Sequence, residues 1–135
     1  MPAPHRPLTL TDPAQLADPF TVARAVEIEL LNYIPLAAWD GQQPTSFGCP
    51  LGGTLTATPT EPGTDFIFAD CRFWPDLAFS GTGVELSMGH PDDGITLTLG
   101  FTGAARGDLT YLHRTADEAY SLTGSWNGKA AMLPR

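Results

Sequence analysis

Positive charge is scarce in this sequence. Its 135 residues include seven lysines and arginines, of which Lys129 is the only lysine, against fifteen acidic residues and a net charge of -8. A field of this sign repels nucleic acid and anionic membrane surfaces. No apolar run approaches the length of a transmembrane helix. We therefore expect no nucleic-acid partner and no membrane insertion.

The N-terminal stretch lacks the apolar core of a signal peptide, because Met1 to Pro7 already contains three prolines. Residues 1–19 hold five prolines and little periodicity, which predicts a linker or extended arm. Residues 20–135 are expected to form one domain. On this basis the protein is either cytoplasmic, or an extracytoplasmic part of a longer exported chain.

One helix is predicted, from Phe20 to Tyr33. Asp18 offers an N-cap, Pro19 suits the first helical position, and Pro35 ends the segment. One face of this helix carries apolar residues at Ala23, Val26, Leu30 and Tyr33. A strand is the alternative, since Val22, Val26, Ile28 and Leu30 share one parity, but the Ala, Glu, Arg and Leu content favours a helix.

After the helix the pattern changes to a period of two, which is typical of strands. Sixteen threonines and fourteen glycines also suit strands joined by turns. The predicted strands are Gly53–Pro59, Thr64–Cys71, Val84–Met88, Ile95–Phe101, Leu109–His113, Tyr120–Trp126 and Lys129–Leu133. Turn sequences such as Asp92-Asp93-Gly94 and Asn127-Gly128 separate them.

We therefore predict a mainly β fold, an antiparallel meander of six to eight strands that forms a closed or nearly closed barrel or sandwich, with one N-terminal helix. The predicted inward set is Phe66, Phe68, Leu97, Leu99, Phe101, Leu109, Tyr111, Tyr120 and Leu122.

The two cysteines, Cys49 and Cys71, are a disulfide candidate. If the hairpin turn lies at Thr60, Cys49 faces Cys71 directly, at the separation a disulfide needs. The same register places Gly52 opposite Phe68. The alternative is two buried thiols acting as small apolar groups.

Catalytic signatures are largely missing, so we expect no enzyme activity, no metal and no cofactor. No serine lies in a G-x-S-x-G sequence, and no histidine pair has the spacing of a zinc hydrolase. A metal corner from His90, Asp92 and Asp93 is conceivable, but carboxylates there are ordinary turn formers. His5 is expected in the arm, and His113 is expected to end a strand as a packed or half-exposed ring.

Two resemblances suggest functions. Gly124-Ser125-Trp126 resembles the G-x-W motif in the first strand of lipocalins, and L-T-G-x-W-N resembles the opening strand of avidins. This implies a barrel that binds a small apolar ligand.

The second resemblance covers most of the chain. A helix ending in E-L-L-N-Y, the C-x-x-G-G-T region at Cys49, the D-C-R-F step at Cys71, and G-x-L-x-Y at Gly107 look like a β-rich C-terminal accessory domain of exported bacterial α/β-hydrolases of the aminopeptidase-like type. This resemblance implies a noncatalytic, extracytoplasmic accessory or interaction domain whose partner is an attached or associated hydrolase. We take it as the first hypothesis and the ligand-binding barrel as the alternative.

Overall fold

The computed structural model describes residues 13–86, 93–115 and 117–133. Eight strands form one sheet in which every strand pairs antiparallel with its neighbours in sequence, in the order β1 to β8. The predicted mainly β antiparallel meander is confirmed. The sheet is not closed, because within the described ranges β1 and β8 form its two edges. The strands are β1 Thr45–Gly48, β2 Thr54–Pro59, β3 Gly63–Trp74, β4 Leu77–Leu86, β5 Gly94–Gly103, β6 Gly107–Arg114, β7 Ala119–Trp126 and β8 Lys129–Leu133.

In the part of the chain that the structure describes, three helices precede the sheet: α1 Pro13–Ala17, α2 Pro19–Leu31 and α3 Ile34–Ala37. Helix α2 is the predicted helix, and its start is as expected. The Asp18 carboxylate accepts the Phe20 N–H at 3.1 Å and the Thr21 hydroxyl at 2.8 Å. The short helices were not predicted. Pro35 lies in the first turn of α3, where its missing N–H costs nothing.

Helix α2 packs on the inner face of the sheet. Its buried residues span more than half of its circumference and are Val22, Ala23, Ala25, Val26, Glu27, Glu29 and Leu30. The Phe20 ring contacts Tyr111 and Tyr120, with centroids 6.0 and 5.5 Å apart. The Trp126 indole N–H donates to the Leu16 carbonyl of α1 at 2.7 Å. The helices therefore cover the face that a ligand-binding barrel would keep open.

Large side chains from β3, β4, β5 and β7 fill the rest of the interior. Phe79 is 1% exposed and contacts Phe68, Phe73 and Phe101, with ring centroids 5.3 to 5.9 Å apart. The Phe101 ring meets Trp126 edge-on at 5.2 Å. The predicted inward set is buried throughout except for Tyr120, which is half-buried.

The predicted register of the β2–β3 hairpin is wrong by three residues. Thr54 pairs with Ala69 and Leu55 pairs with Phe68, so Gly52 does not face Phe68. The reason is the turn, which is centred on Glu61-Pro62 rather than on Thr60. The Thr60 N–H donates to the Gly63 carbonyl at 2.9 Å and closes it.

The disulfide between Cys49 and Cys71 is nevertheless present, with its Cα atoms 5.5 Å apart. A bulge in β3 between Phe68 and Cys71 shifts the register, so that Cys71 still comes close to Cys49. Asp70 within the bulge has a φ of 47°. The Leu51 N–H then donates to the Arg72 carbonyl at 2.9 Å. The predicted pair is confirmed, but loop and bulge geometry brings the cysteines together, not simple strand pairing.

Two strands differ from the prediction because glycine and short length hide them. Strand β1 was not predicted, because it lies between the predicted helix and the first predicted strand, Gly53–Pro59. Strand β4 begins at Leu77, well before the predicted start at Val84. Gly81 lies in the middle of β4, where a Cβ atom would come within 2.0 Å of the Thr98 carbonyl oxygen. Because glycine is needed at this position, the alternation of apolar side chains that would mark the strand is interrupted.

Candidate functional site

Glu27 is a carboxylate buried between α2 and β6. It is 2% exposed, and helix α2 directs it toward the inner face of the sheet. The Tyr111 hydroxyl donates to Glu27 Oε1 at 2.5 Å, and His113 Nδ1 lies 2.6 Å from Glu27 Oε2. Tyr111 and His113 share one face of β6 because they are two residues apart. Each carboxylate oxygen therefore has a partner from the sheet.

Arg24, one helical turn before Glu27, supplies the countercharge. Its Nη1 atom lies 2.7 Å from Glu27 Oε1. Its guanidinium lies over the Tyr120 ring, 5.5 Å from the ring centroid. Burial opposes the charged form of Arg24, but the hydrogen bond and the negative charge of Glu27 outweigh it and raise the Arg24 pKa. The carboxylate of Glu27 is thus paired as well as hydrogen-bonded.

His113 connects this buried carboxylate to the surface. Its Nε2 atom lies 3.3 Å from Oε2 of Glu118, whose side chain is 70% exposed. The Tyr120 ring stacks on the imidazole at a centroid distance of 4.3 Å. We call Arg24, Glu27, Tyr111, His113, Glu118 and Tyr120 the Glu27 network.

Two groups near Glu27 have raised pKa values. Burial and the hydrogen bond to Glu27 raise the pKa of Tyr111 far above its usual range, so its hydroxyl remains a donor. Glu85 on β4 also has a raised pKa, because of burial first and then the negative charges of Asp93 and Glu27. The charged form of Glu85 is therefore disfavoured on this side of the sheet.

A carboxylate holding an imidazole is also the arrangement that orients a general base in many hydrolases. Here the second imidazole nitrogen faces the Glu118 carboxylate, and both cysteines are held in the disulfide. The contacts of Glu27 instead tie α2 to β6. The arrangement thus holds helix α2 on the sheet.

The sequence-predicted positions fall as follows. His113, expected to be packed or half-exposed at a strand end, is buried. Asp93 caps the β5–β6 hairpin, since its carbonyl accepts the Thr115 N–H at 3.0 Å. His5, His90 and Asp92 lie outside the described residues. Among the residues the structure describes, no three potential ligands converge on a point that could hold a metal ion.

Sequence reasoning missed Glu27, the centre of the network. Its helical position gives the signal that could have found it, because Glu27 follows Ala23 by four residues and precedes Leu30 by three. A carboxylate on that apolar face must find partners when the helix is buried.

A second feature is an apolar surface at the end of the molecule where α2 meets α3. A groove of about 220 Å³ lies there between α3 and the Cys49–Gly53 loop, and Ile34, Pro50 and Phe73 are among its lining residues. Ile34 is 67% exposed, and Leu51 beside Pro50 is 52% exposed. We call this surface, with Tyr33 and Pro35, the apolar end.

Within the described ranges, none of the helices has the length and apolar content needed to cross a membrane. No protein-family model matches the chain, and neither a curated protein nor a solved structure matches it.

Proposed function

We propose that this chain is a noncatalytic accessory domain that binds an attached or associated exported hydrolase through the apolar end. The observation that carries the proposal is the contrast between the inner face of the sheet, which is filled, and the apolar end, which is exposed. Helix α2 and the phenylalanine cluster occupy the inner face of the sheet. The apolar end leaves large apolar side chains in water.

The filled inner face supports an interaction domain over a ligand-binding barrel. A barrel that binds a small apolar ligand needs an internal cavity lined by its inward residues. Here Leu97, Leu99 and Tyr111 are at most 3% exposed and belong to one packed cluster with Val22 and Val26 of α2. A ligand on this face would have to displace the helix.

The apolar end has the features of a docking surface. Apolar side chains that share a groove are more informative than apolar residues scattered singly over a surface. The disulfide beside the groove links the Cys49–Gly53 loop to β3, so the loop is held in shape before any partner arrives. A disulfide also suits an exported protein, since an oxidising compartment preserves it.

The binding test uses the α/β-hydrolase encoded in the same or the neighbouring reading frame. Both proteins are produced in an oxidising compartment, and their affinity is measured by calorimetry. Ile34→Asp and Leu51→Asp should each weaken binding by about tenfold or more, because a charge would be buried in an apolar contact.

The matched controls are Ile67→Asp and Met132→Asp, since these residues are 57% and 67% exposed but lie on β3 and β8, away from the groove. They should leave the affinity unchanged. The absence of an encoded hydrolase, or equal losses in the control variants, would overturn the proposal.

A second experiment addresses catalysis directly. The isolated chain is incubated with a panel of ester, peptide and phosphate substrates, and we expect no turnover. Turnover that disappears in His113→Ala, while the variant keeps its circular dichroism spectrum, would contradict a noncatalytic role.

A further inference from the structure

The outer face of the sheet carries a polar groove of about 520 Å³, on the opposite side from α2. Ser80, Gly100, Asp108 and Ser125 lie in direct register across β4, β5, β6 and β7 and line it. Phe79 and Phe101 also border the groove, but they are 1% and 3% exposed because their rings point into the core. The groove therefore presents backbone and polar groups.

The floor of the groove is open because Gly100 has no side chain. A Cβ atom at Gly100 would approach only Asp108 Oδ1, at 3.0 Å, and the Ser80 carbonyl oxygen, at 3.9 Å. The strand backbone at Gly100 has no positive φ that would require glycine. The backbone conformation therefore does not require glycine at this position. The missing side chain leaves space in which a flat ring could reach the strands.

The walls carry hydrogen-bonding groups in fixed positions. The β3 bulge at Asp70 redirects this residue toward β4, and the Asp70 N–H donates to Ser80 Oγ at 2.9 Å. The Ser80 hydroxyl accepts that bond, so its own hydrogen is left to donate. At the other end, Arg106 is held through its backbone. Its N–H donates to Asn127 Oδ1 at 3.0 Å, and its carbonyl accepts the Asn127 N–H at 2.7 Å.

We propose that this groove binds a neutral polyhydroxylated ligand, namely a sugar ring of an oligosaccharide. The carboxylates of Asp70 and Asp108 can accept from ligand hydroxyls, Arg106 can donate, and the hydroxyls of Ser80 and Ser125 can do both. Neighbouring hydroxyls of a sugar need this mixture of donors and acceptors at one surface.

The charges of the groove favour a neutral ligand over an anionic one. Two carboxylates against one guanidinium, on a chain of net charge -8, disfavour an anion. The same net negative charge would accept a polyamine, so a cationic ligand is the competing outcome of the test. The site does not depend on the proposed hydrolase partner, because it lies on the sheet and shares no lining residue with the apolar end.

The test titrates the purified chain with cellohexaose, maltohexaose, xylohexaose and chitohexaose, followed by calorimetry and by amide chemical shifts. Spermidine serves as the cationic comparison. We expect one of the neutral oligosaccharides to bind and to shift the amides of Gly100 and Asp108. Binding of spermidine alone, or of none of these compounds, would overturn the proposal.

Variants then locate the site. Gly100→Val fills the floor, and Asp108→Ala removes an acceptor, so each should lower the affinity by about tenfold or more. Thr110→Val is the matched control, because Thr110 is exposed on the same face of β6 two residues from Asp108. It should bind as the parent does.

Ser80→Ala keeps the test decisive if Gly100→Val fails to fold, as judged by circular dichroism. Binding that survives in both Asp108→Ala and Ser80→Ala would place the sugar elsewhere and overturn the site.

Discussion

The interior of this protein has two parts that are held together in different ways. Around Phe79, aromatic rings from β3, β4 and β5 pack on one another. Around Glu27, helix and sheet meet through a carboxylate with partners on both oxygens. Burial of apolar surface stabilises the first part. The second part is stable only while both partners of the Glu27 carboxylate are present, because a buried charge without a partner is destabilising.

The largest effect is expected in the aromatic part. Phe79→Ala removes a ring that contacts three others and should lower the free energy of unfolding by about 4 kcal/mol, because the sheet cannot collapse into the space. Urea denaturation measures this. Ile67→Ala, on the exposed face of β3, should change the free energy by less than about 0.5 kcal/mol. Similar losses in both variants would show that the ring cluster is not the core.

The Glu27 network should respond in a way that the aromatic part cannot. Glu27→Met strands the Tyr111 hydroxyl and the His113 imidazole in the interior, and should cost about 3 kcal/mol in urea denaturation. The triple variant Glu27→Met, Tyr111→Phe, His113→Leu removes the stranded groups as well. It should recover most of the loss, since apolar replacement of a whole buried network is often neutral.

Glu118→Gln is the surface control for that series, because the Glu118 side chain is 70% exposed and should contribute little to the free energy of unfolding. If the triple variant is less stable than Glu27→Met alone, the network would be contributing net stability, and the contrast between the two parts would fail.

The disulfide belongs to the aromatic part, since Cys71 pairs with Phe79 across β3 and β4. Reductant should raise the intact mass by about two hydrogen masses and lower the free energy of unfolding by up to about 3 kcal/mol, because the reduced unfolded chain gains freedom. Thermal unfolding should shift down by several degrees. The double variant Cys49→Ser, Cys71→Ser should not respond to reductant. An unchanged mass on reduction would show that the thiols are free.

Glu85 tests the cost of a partly buried carboxylate near Asp93 and Glu27, and its effect should be the smallest. Its folded pKa is raised from the ordinary value of 4.5, so its contribution favours the folded state below that pH and is lost as pH rises through the folded pKa. Glu85→Gln should therefore raise the thermal midpoint at pH 7 and have little effect at pH 4. Glu61→Gln, in the exposed β2–β3 turn, is the control. A lower midpoint for Glu85→Gln at pH 7 would contradict this account.

The strands that carry Phe68 and Phe101 were predictable from the sequence, whereas Phe79 at the start of β4 and the polar part were not. Alternation with a period of two identifies strands such as β5, because Ile95, Leu97 and Leu99 must share a face. The helical position of Glu27 shows only that it lies on the apolar side of α2, and nothing local identifies its partners Tyr111 and His113, which lie 84 and 86 residues away in the chain. Sequence patterns report local periodicity, and this network depends on how the helix is placed on the sheet.

The cysteine pair shows how a prediction can be right while its geometry is wrong. Mirror symmetry about Thr60 selected Cys49 and Cys71, but the turn at Glu61-Pro62 shifts the ladder by three residues. The bulge at Asp70 restores the pairing, and bulges leave no clear mark in a single sequence. The polar groove depends on the same bulge, so it was equally hidden.

Helix α2 precedes all eight strands of the sheet in sequence, and this order has a consequence during synthesis. At about 5 to 20 residues per second, β6 follows α2 out of the ribosome roughly 4 to 17 seconds later. In that interval the strands before β6 can pair one after another, since each needs only its predecessor. Until Tyr111 and His113 have been synthesised, the apolar face of α2 and the Glu27 carboxylate remain exposed to water. The nascent chain therefore passes through a stage in which a half-built sheet and an undocked helix both expose apolar surface.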